Sequence, residues 1–331
     1  MAVQLPCGKA DGRLTVLVLH RQPEMYIDRL TERFPQVRFV VVDSYAGLPA
    51  ALADARPDVV LGFKIAGQGA FPRAELFAAP SVRWVHAGGA GIDHFVSWDA
   101  SRVMVTNSSG LHGESLARLV TWAILNQELG MPAYAAAQRA REWKQRPLRA
   151  PAGRVVAIVG FGRIGAAIAA HVRPFGFHVV GVRRAPAPSA DVDEVVGLDA
   201  LRPTLGRADH VVLVLPLTAD TRGLFGADML ATFKPGAHLI NIGRGGIVDE
   251  DALRAALAAG PIGAATADVF ATEPLPPDDP LWTTPNVIIT PHAMGDPVGW
   301  QGRVADIFAD NLQRWIDGKS LENLCDPGLG Y

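Results

Sequence analysis

Short runs of apolar residues recur along the chain, and stretches with helical periodicity separate them. The runs are rich in Val, Ile and Leu without alternating polar residues, which is typical of strands covered on both faces of a parallel sheet. We predict strands at residues 14–19, 37–42, 59–61, 82–85, 155–159, 179–182, 211–215, 239–242 and 287–290. Because strands and helices alternate throughout, the pattern predicts a parallel α/β fold.

Two helices are marked by both their periodicity and their ends. In residues 114–129, Leu116, Leu119 and Val120 fall on one helical face, and Gly130 ends the pattern. Asp249 is a favourable N-cap for a second helix that ends at Gly260.

The length and a change of composition predict two domains. A chain of 331 residues is long for one domain, since domains commonly have roughly 100–200 residues. The segment 139–154 is basic and contains prolines, and it directly precedes the most clearly marked strand, turn and helix. We interpret it as an exposed connector, and we expect a second boundary after the loop at 295–297.

Composition and charge exclude several classes of protein. Hydrophobic residues make up 49% and charged residues 19%, which excludes a disordered chain. Lys and Arg number 31 against 33 Asp and Glu, so no basic excess exists for nucleic acid or an anionic membrane. The N-terminus lacks the apolar segment of a signal peptide, and no apolar run approaches the ~20 residues of a membrane span.

The cysteine count points to a reducing compartment. Cys7 and Cys325 are the two cysteines, too few for a disulfide framework. We therefore expect a cytoplasmic protein with neither a nucleic-acid nor a membrane partner. We also expect no metal, because no His, Cys and Asp residues recur at ligand spacing.

A glycine-rich turn predicts a dinucleotide site. Gly160, Gly162 and Gly165 follow an apolar strand and open a helix, in the pattern G-x-G-x-x-G. The first glycine permits a tight turn, the second lets the backbone approach a pyrophosphate, and the third allows close packing of helix on strand. The helix N-terminus offers N–H groups to phosphate oxygens. A glycine-rich turn that binds nothing is the less favoured alternative.

The next strand carries the signal for the type of coenzyme. NAD sites commonly place a carboxylate at its end to bind the ribose 2′-hydroxyl. This sequence has Arg183 and Arg184 there instead, and guanidinium groups pair well with the 2′-phosphate of NADP. We therefore predict NADP as the coenzyme, with NAD possible as a substitute. Two solvated surface arginines are the alternative.

Three later segments place polar side chains at or beyond strand ends, the edge at which doubly wound sheets bind ligands. Arg244 follows one strand, Glu273 precedes a proline, and His292 follows another strand. An imidazole can exchange a proton with the reacting oxygen, a neighbouring carboxylate favours the imidazolium, and an arginine can bind a carboxylate beside a carbonyl. Taken singly, each residue could equally be structural or a surface charge.

The chain resembles the D-isomer-specific 2-hydroxyacid dehydrogenases over most of its length. The resemblance is carried by several motifs in the same order: GFGRIG at 160–165, PLTADTRGLFG at 216–226, NIGRGGIVDEDAL at 241–253, DVFATEPLP at 268–276, TPHAMG at 290–295 and the ending LENLCDPGLGY. It implies a flavodoxin-like substrate domain, residues 1–106 and 297–331, with a doubly wound dinucleotide-binding domain, residues 107–296, inserted between its parts. It also implies a homodimer.

The resemblance implies specific roles for residues of this chain. It makes Arg244, Glu273 and His292 the catalytic set and has Asp268 orient the nicotinamide. Together with the glycine-rich turn and the arginine pair, the resemblance implies a set of coenzyme-binding residues. These are Gly160, Gly162, Arg163, Ile164, Gly165, Arg183, Arg184, Leu215, Pro216, Thr221, Ile242, Gly243, Asp268 and Gly295. One departure from the family is Arg118, at a position that is usually acidic.

The segment HAGGAGIDHF, at residues 86–95, resembles the family's glycine-rich substrate loop. Successive backbone N–H groups in such a loop can form an anion-binding nest. We therefore expect the substrate carboxylate to be bound by Gly88, Gly89, Ala90 and Gly91, together with Arg244 and His292. Phe63, Lys64 and Trp84 lie on neighbouring strand ends and are further candidates for the pocket.

The function predicted from these features is an NADP-linked oxidoreductase that interconverts a small 2-oxo acid and its D-2-hydroxy acid. Glyoxylate and hydroxypyruvate are the favoured substrates. Two alternatives stay open at this point. One is an enzyme similar to phosphoglycerate dehydrogenase, and the other is a non-catalytic, nucleotide-sensing binding protein similar to a corepressor.

Overall fold

The computed structural model describes residues 13–65, 67–95, 98–148 and 150–328. The chain divides into two compact units, one formed by residues 1–111 and 298–331 and the other by residues 112–297. Cys7 and the extreme N-terminus lie outside the described residues, whereas Cys325 is buried. The assignment of substrate binding to one unit and coenzyme binding to the other stays a prediction.

In its described part, the first unit contains a five-stranded parallel sheet in the order β2-β1-β3-β4-β5. The strands are β1 (Thr15–Leu19), β2 (Arg38–Val42), β3 (Val59–Gly62), β4 (Trp84–Ala87) and β5 (Met104–Asn107). The helices of this unit are α1 (Ile27–Arg33), α2 (Leu48–Ala55), α3 (Arg73–Ala78) and α10 (Trp300–Ile316). Helix α10 belongs to this unit although it lies near the C-terminus.

Alternate residues of β1 enter two different cores. Val16 and Val18 pack with Phe308 of α10, whereas Leu17 and Leu19 pack with Leu48 of α2. Because successive side chains of a strand point to opposite faces, both faces of this sheet are covered. This explains why the strand has no polar alternation in the sequence.

In its described part, the second unit contains a seven-stranded parallel sheet in the order β12-β11-β10-β9-β6-β7-β8. The strands are β6 (Val155–Val159), β7 (His178–Val182), β8 (Glu194–Val196), β9 (His210–Leu213), β10 (Ala237–Asn241), β11 (Ile262–Ala267) and β12 (Val287–Ile289). The helices are α4 (Gly113–Glu128), α5 (Met131–Ala140), α6 (Arg163–Val172), α7 (Leu201–Arg207), α8 (Ala227–Leu230) and α9 (Glu250–Ala259).

The order of these strands reverses direction between β6 and β9. From β6 the chain moves outward through β7 and β8, and from β9 it moves outward the other way through β10, β11 and β12. Such a switch point opens a crevice at the carboxyl edge of an open α/β sheet, where ligands bind. On its two faces the sheet is covered by α4 and α6 and by α7, α8 and α9.

The predicted parallel α/β class is confirmed, with a doubly wound sheet in each unit. Strand β4 begins two residues later than predicted and extends to Ala87. Strands β5, β8 and β11 lie outside the predicted apolar runs, because MVTN and EVV are short and contain polar residues and IGAATA consists mostly of small residues. Asp249 caps α9 as expected, its side chain accepting the Ala252 N–H at 3.0 Å.

Two further observations concern Arg118 and the length of the helices. Arg118, the departure from the family pattern, forms an ion pair with Glu114 one turn earlier on α4, with its Nη2 at 2.8 Å from Oε1. In the described ranges, no helix is long and apolar enough to cross a membrane.

Candidate active site

The glycine-rich turn directly follows β6 in the second unit. Gly160 has a left-handed φ of 99°, and a Cβ there would lie 2.6 Å from the Val214 carbonyl oxygen, so only glycine fits. A Cβ on Gly165 would lie 3.2 Å from Ile158, which explains the third glycine as a helix-to-strand contact. The first and third glycines are therefore required by the backbone conformation and the packing of the turn.

Gly162 meets the requirement for a bound pyrophosphate. It is the N-cap of α6, no side chain caps that helix, and a Cβ on Gly162 would meet nothing within 4 Å. Arg163, Ile164 and Gly165 form the first turn of α6, where backbone N–H groups lack acceptors within the helix. The turn thus has room and hydrogen-bond donors for phosphate oxygens, and its residues fit a dinucleotide.

Arg183 and Arg184 directly follow β7, the neighbour of β6. Arg183 is half-buried, and its Nε donates to the Ala185 carbonyl at 2.7 Å. That bond fixes the stem of the guanidinium and uses none of its terminal nitrogens. Arg184 is exposed. The end of β7 therefore presents positive charge where an NAD site commonly has a carboxylate.

The loops after β9 and β10 approach each other closely. A Cβ on Gly243 would lie 2.7 Å from the Leu215 carbonyl oxygen, so the two backbones nearly touch. The hydroxyl of Thr221 donates to the Pro216 carbonyl at 2.6 Å and accepts the Thr218 N–H at 2.8 Å. Thr221 thus holds the shape of its loop. Ile242 is buried beneath this region.

Arg244 and the segment after β11 are held together by a backbone contact at Gly245. Arg244 is half-buried, and its Nη1 donates to the Gly243 carbonyl at 2.7 Å. A Cβ on the next residue, Gly245, would lie 1.8 Å from the Phe270 carbonyl carbon. The loop that carries Arg244 is therefore seated directly on the segment that leads to Glu273.

Glu273 and His292 form a hydrogen-bonded pair. His292 Nδ1 lies 2.7 Å from Glu273 Oε2, and Glu273 Oε1 accepts the Phe270 N–H at 2.9 Å. His292 has a left-handed φ of 51°, an uncommon backbone conformation for a residue with a Cβ. Because Nδ1 faces the carboxylate, Nε2 is the nitrogen that can face a ligand.

Arg244 adds its charge to this pair. Burial raises the pKa of Glu273, but hydrogen bonds from His292 and from the Phe270 N–H, with the charges of His292 and Arg244, outweigh it. The net effect lowers the pKa of Glu273, so the side chain is a carboxylate at neutral pH. The three residues expected to form the catalytic set are thus close enough to interact electrostatically.

Asp268 lies beneath the loop that carries His292. Only 2% of Asp268 is exposed, and its Oδ1 accepts the Thr290 hydroxyl at 2.6 Å. Burial raises the pKa of Asp268, while the Thr290 hydroxyl, the charge of His292 and the N–H groups of Met294 and Ala293 act in the opposite direction. The carboxylate therefore organises the loop from Thr290 to Met294.

Two further polar residues here were missed by sequence reasoning. His112 Nδ1 lies 2.7 Å from the Gly295 carbonyl oxygen and 3.4 Å from Asp296 Oδ1. Burial raises the pKa of Asp296, as does the charge of Asp268, while His112 and His292 lower it. His112 is far from residue 295 in the sequence, so no local pattern signals this contact.

In the first unit, the expected substrate loop follows β4 at the carboxyl edge of the sheet. A Cβ on Gly88 would lie 2.4 Å from the ring of Phe63, so this glycine permits the close approach of the ring. Lys64 is exposed and its Nζ lies 3.6 Å from Asp93 Oδ2. Trp84 is fully buried, with its Nε1 donating to the Thr106 hydroxyl at 2.8 Å, and belongs to the core.

Comparison with known proteins decides the family. The family described as D-isomer specific 2-hydroxyacid dehydrogenase, NAD binding domain, matches residues 121–294. The chain belongs to this family. It is therefore an oxidoreductase with a dinucleotide-binding domain, as the resemblance implied.

Three relatives of this dehydrogenase bear on its substrate. Glyoxylate/hydroxypyruvate reductase B of Pectobacterium atrosepticum is 41% identical over 179 residues, which are 53% of this chain and 55% of that protein. The D-3-phosphoglycerate dehydrogenase of Mycobacterium bovis is 34% identical over 77% of this chain, which spans about half (49%) of that relative's length. The crystal structure of the NADPH-dependent glyoxylate/hydroxypyruvate reductase of Sinorhizobium meliloti, in complex with NADP and sulfate, superposes with a TM-score of 0.84 at 28% identity, covering 96% of this chain and 100% of that one.

The contact at Gly245 generates a stability prediction. Gly245→Ala must displace the backbone at Phe270, because its Cβ would overlap a carbonyl carbon. We expect the free energy of unfolding to fall by about 1–3 kcal/mol, as for overpacked sites. Urea denaturation followed by circular dichroism measures it.

The neighbouring Gly246→Ala is the matched control. Its Cβ would meet the side-chain ends of Leu217 at 3.3 Å and Arg222 at 3.4 Å, which can move aside. We expect little change in its stability. Equal losses in the two variants would contradict the close contact at Gly245.

Proposed function

We propose that this dehydrogenase uses NADPH to reduce a small 2-oxo acid, such as glyoxylate or hydroxypyruvate, to the D-2-hydroxy acid. The observation that carries the proposal is the hydrogen-bonded pair of Glu273 and His292, 2.7 Å apart, beside the charge of Arg244. An acid, its carboxylate partner and a guanidinium are the groups that reduction of a carbonyl next to a carboxylate requires.

In this mechanism His292 is the general acid. As the carbonyl carbon receives a hydride, its oxygen gains negative charge, and His292 donates the Nε2 proton to that oxygen. Glu273 accepts the Nδ1–H at the other side of the ring, which orients the imidazole. In the oxidation direction the same nitrogen accepts the proton.

Arg244 binds the reacting end of the substrate. Its guanidinium can donate to the carboxylate and to the carbonyl oxygen of a 2-oxo acid together, and it polarises the carbonyl as charge develops. In the proposal, the N–H groups of Gly89, Ala90 and Gly91 hold the substrate carboxylate, whereas the Gly88 N–H already donates to the Gly62 carbonyl at 2.8 Å. We assign substrate binding by this glycine-rich loop to the domain of residues 1–106 and 297–331.

The coenzyme is held by residues 107–296 in the proposal. The turn with Gly160, Gly162 and Gly165 receives the pyrophosphate, and Arg183 and Arg184 receive the 2′-phosphate. Asp268 orients the nicotinamide in the proposal, and Gly295 contributes to the same site. When bound, NADPH supplies the hydride. The Sinorhizobium meliloti enzyme, which is described as NADPH-dependent, supports this choice by its similarity.

Oxidation of phosphoglycerate is the second candidate, because the Mycobacterium bovis enzyme is 34% identical over most of this chain. The two candidates differ in substrate. Initial rates with NADPH and NADH against glyoxylate, hydroxypyruvate and phosphohydroxypyruvate separate them. A clearly higher kcat/KM for phosphohydroxypyruvate than for the other two acids would replace our proposal.

The role of His292 predicts a loss of turnover with retained coenzyme binding. Because general acid–base catalysis contributes ~10²–10⁴-fold, His292→Asn should lower kcat by about that factor. Quenching of protein fluorescence by NADPH should give an unchanged Kd. His171→Asn, on α6 with its Nδ1 3.0 Å from the Ala167 carbonyl, is the control and should keep its activity. Wild-type kcat in His292→Asn would refute the assignment.

The pairing with Glu273 predicts a role in orienting the general acid. Glu273 accepts the Phe270 N–H with one oxygen and pairs with His292 Nδ1 through the other, and a glutamine has a single acceptor oxygen for the two. Glu273→Gln should therefore lower kcat for reduction roughly tenfold or more, as expected for one lost hydrogen bond to a charged group, and leave the Kd for NADPH unchanged. Steady-state rates measure it, with the exposed Glu114→Gln as a control. A wild-type kcat would mean that Glu273 only shapes its loop.

The charge at the end of β7 predicts the coenzyme preference. A charge-assisted hydrogen bond to the 2′-phosphate is worth about 1.5–3 kcal/mol, which is roughly tenfold or more in binding. Replacing Arg183 and Arg184 together by Ala should raise KM for NADPH at least tenfold and leave KM for NADH nearly unchanged. Added salt should weaken the binding of NADPH more than that of NADH.

Arg202→Ala is the matched control for this experiment. Arg202 is an exposed arginine on α7 that donates to the Asp228 carbonyl at 3.2 Å, so its loss should change neither KM. A higher kcat/KM with NADH than with NADPH in the wild-type enzyme would overturn the coenzyme assignment.

A further inference from the structure

Three carbonyl groups at the end of β4 and in the loop after it are bonded to residues at the end of β5. The Ala87 carbonyl accepts the Ser108 hydroxyl at 3.1 Å, and the Gly89 carbonyl accepts the Ser108 N–H at 3.1 Å. The Ala90 carbonyl accepts Nδ2 of Asn107 at 2.7 Å. Three carbonyls of one short loop are thus bonded to two consecutive residues, Asn107 and Ser108.

These bonds also fix the direction of the loop's N–H groups. In a planar trans peptide, the C=O of one residue and the N–H of the next point in opposite directions. The Ala87–Gly88 peptide follows this rule, because the Gly88 N–H donates to the Gly62 carbonyl at 2.8 Å. By the same rule, Ser108 orients the N–H of Ala90, and Asn107 orients the N–H of Gly91.

The oriented N–H groups are available to a ligand in the part of the chain that the structure describes. Within the described ranges, the N–H groups of Gly89, Ala90 and Gly91 donate to no protein atom. All three residues are half-buried. Two neighbouring N–H groups that face away from their anchored carbonyls can receive one anionic oxygen or the two oxygens of a carboxylate.

Asn107 is itself held in one orientation. Its Oδ1 accepts the Ser109 N–H at 3.1 Å, which leaves Nδ2 to face Ala90. Its backbone N–H donates to the Asn323 carbonyl at 3.2 Å, and Nδ2 of Asn323 donates to the carbonyls of Asn107 and Ser109 at 3.2 and 3.1 Å. Only 7% of Asn107 is exposed. Asn323, near the C-terminus, therefore holds Asn107, and Asn107 holds the loop after β4.

We propose that Asn107 is a positioning residue that holds the Ala90–Gly91 peptide, so that its N–H binds the substrate carboxylate, and that Asn323 keeps Asn107 in place. The inference rests on the proposed function, in which this loop binds the carboxylate of a 2-oxo acid. Without Nδ2 of Asn107 the peptide can turn, and the carboxylate loses one charge-assisted hydrogen bond.

The test compares substrate binding with turnover in Asn107→Ala. Loss of one hydrogen bond to a charged group corresponds to a roughly ten- to hundredfold weaker binding. KM for glyoxylate should therefore rise at least tenfold, while kcat at saturation stays within about twofold, because protonation by His292 is untouched. The Kd for oxalate, an unreactive carboxylate probe measured calorimetrically, should rise by a similar factor, and the Kd for NADPH should not change.

Asn311→Ala is the matched control for general damage to the C-terminal segment. Asn311 is 1% exposed, its Nδ2 donates to the Glu322 carbonyl at 3.0 Å, and its Oδ1 accepts the Glu322 N–H at 2.8 Å. It holds the same segment as Asn323 but makes no bond to the loop. We expect a lower melting temperature for this variant with the wild-type KM.

A second variant tests the same proposal if Asn107→Ala does not fold. Asn323 has a left-handed φ of 54°, which glycine adopts without strain. Asn323→Gly removes the bonds to the Asn107 and Ser109 carbonyls without changing the charge. It should raise KM for glyoxylate and the Kd for oxalate in the same direction as Asn107→Ala, by a smaller factor.

The outcomes separate this inference from the proposed function. Unchanged KM and oxalate binding in both variants, with an active wild-type enzyme, would overturn the inference alone. An equal rise of KM in Asn311→Ala would also overturn it, since general loosening would then explain the effect. A wild-type enzyme that neither reduces 2-oxo acids nor binds oxalate would overturn both proposals.

Discussion

The candidate active site of the second unit depends on the parallel direction of the strands in its sheet. Parallel strands place all their carboxyl ends at one edge. The phosphate turn after β6, the arginine pair after β7, Arg244 after β10, Asp268 after β11 and His292 after β12 are therefore brought to that edge. Arg244, Asp268 and His292 are far apart in sequence, and they are brought together because β10, β11 and β12 are adjacent in the sheet.

Within this edge, close backbone contacts set the positions of the charged side chains. Gly245 lets the loop after β10 sit on Phe270, and Glu250 accepts the Ala271 N–H at 2.8 Å. Burial raises the pKa of Glu250, which the Ala271 N–H opposes and the nearby charges of Asp279, Asp251 and Asp249 reinforce. The segment before Glu273 is thus fixed by contacts that involve no catalytic group. This lets Glu273 direct both carboxylate oxygens, one to Phe270 and one to His292.

The sequence was informative where local physical requirements are strict. Buried parallel strands need continuous apolar residues, so most strands could be located, and Gly160 could be placed because its turn tolerates no side chain. Strands β5 and β8 carry polar residues, β11 consists mostly of small residues, and none of the three stood out as an apolar run. The left-handed backbone at His292 and the contacts of His112 and Asn107 were also missed, because they depend on residues that only the fold brings together.

The proposed function divides recognition of the substrate between two kinds of group. The second unit would act through side chains that exchange protons or carry charge, with His292 as the general acid and Glu273 as its carboxylate partner. The first unit would act through backbone N–H groups, which do not titrate, held by the neutral side chains of Asn107 and Ser108. Since these neutral groups do not titrate, a change of pH should affect proton transfer and have little effect on how the loop binds the carboxylate.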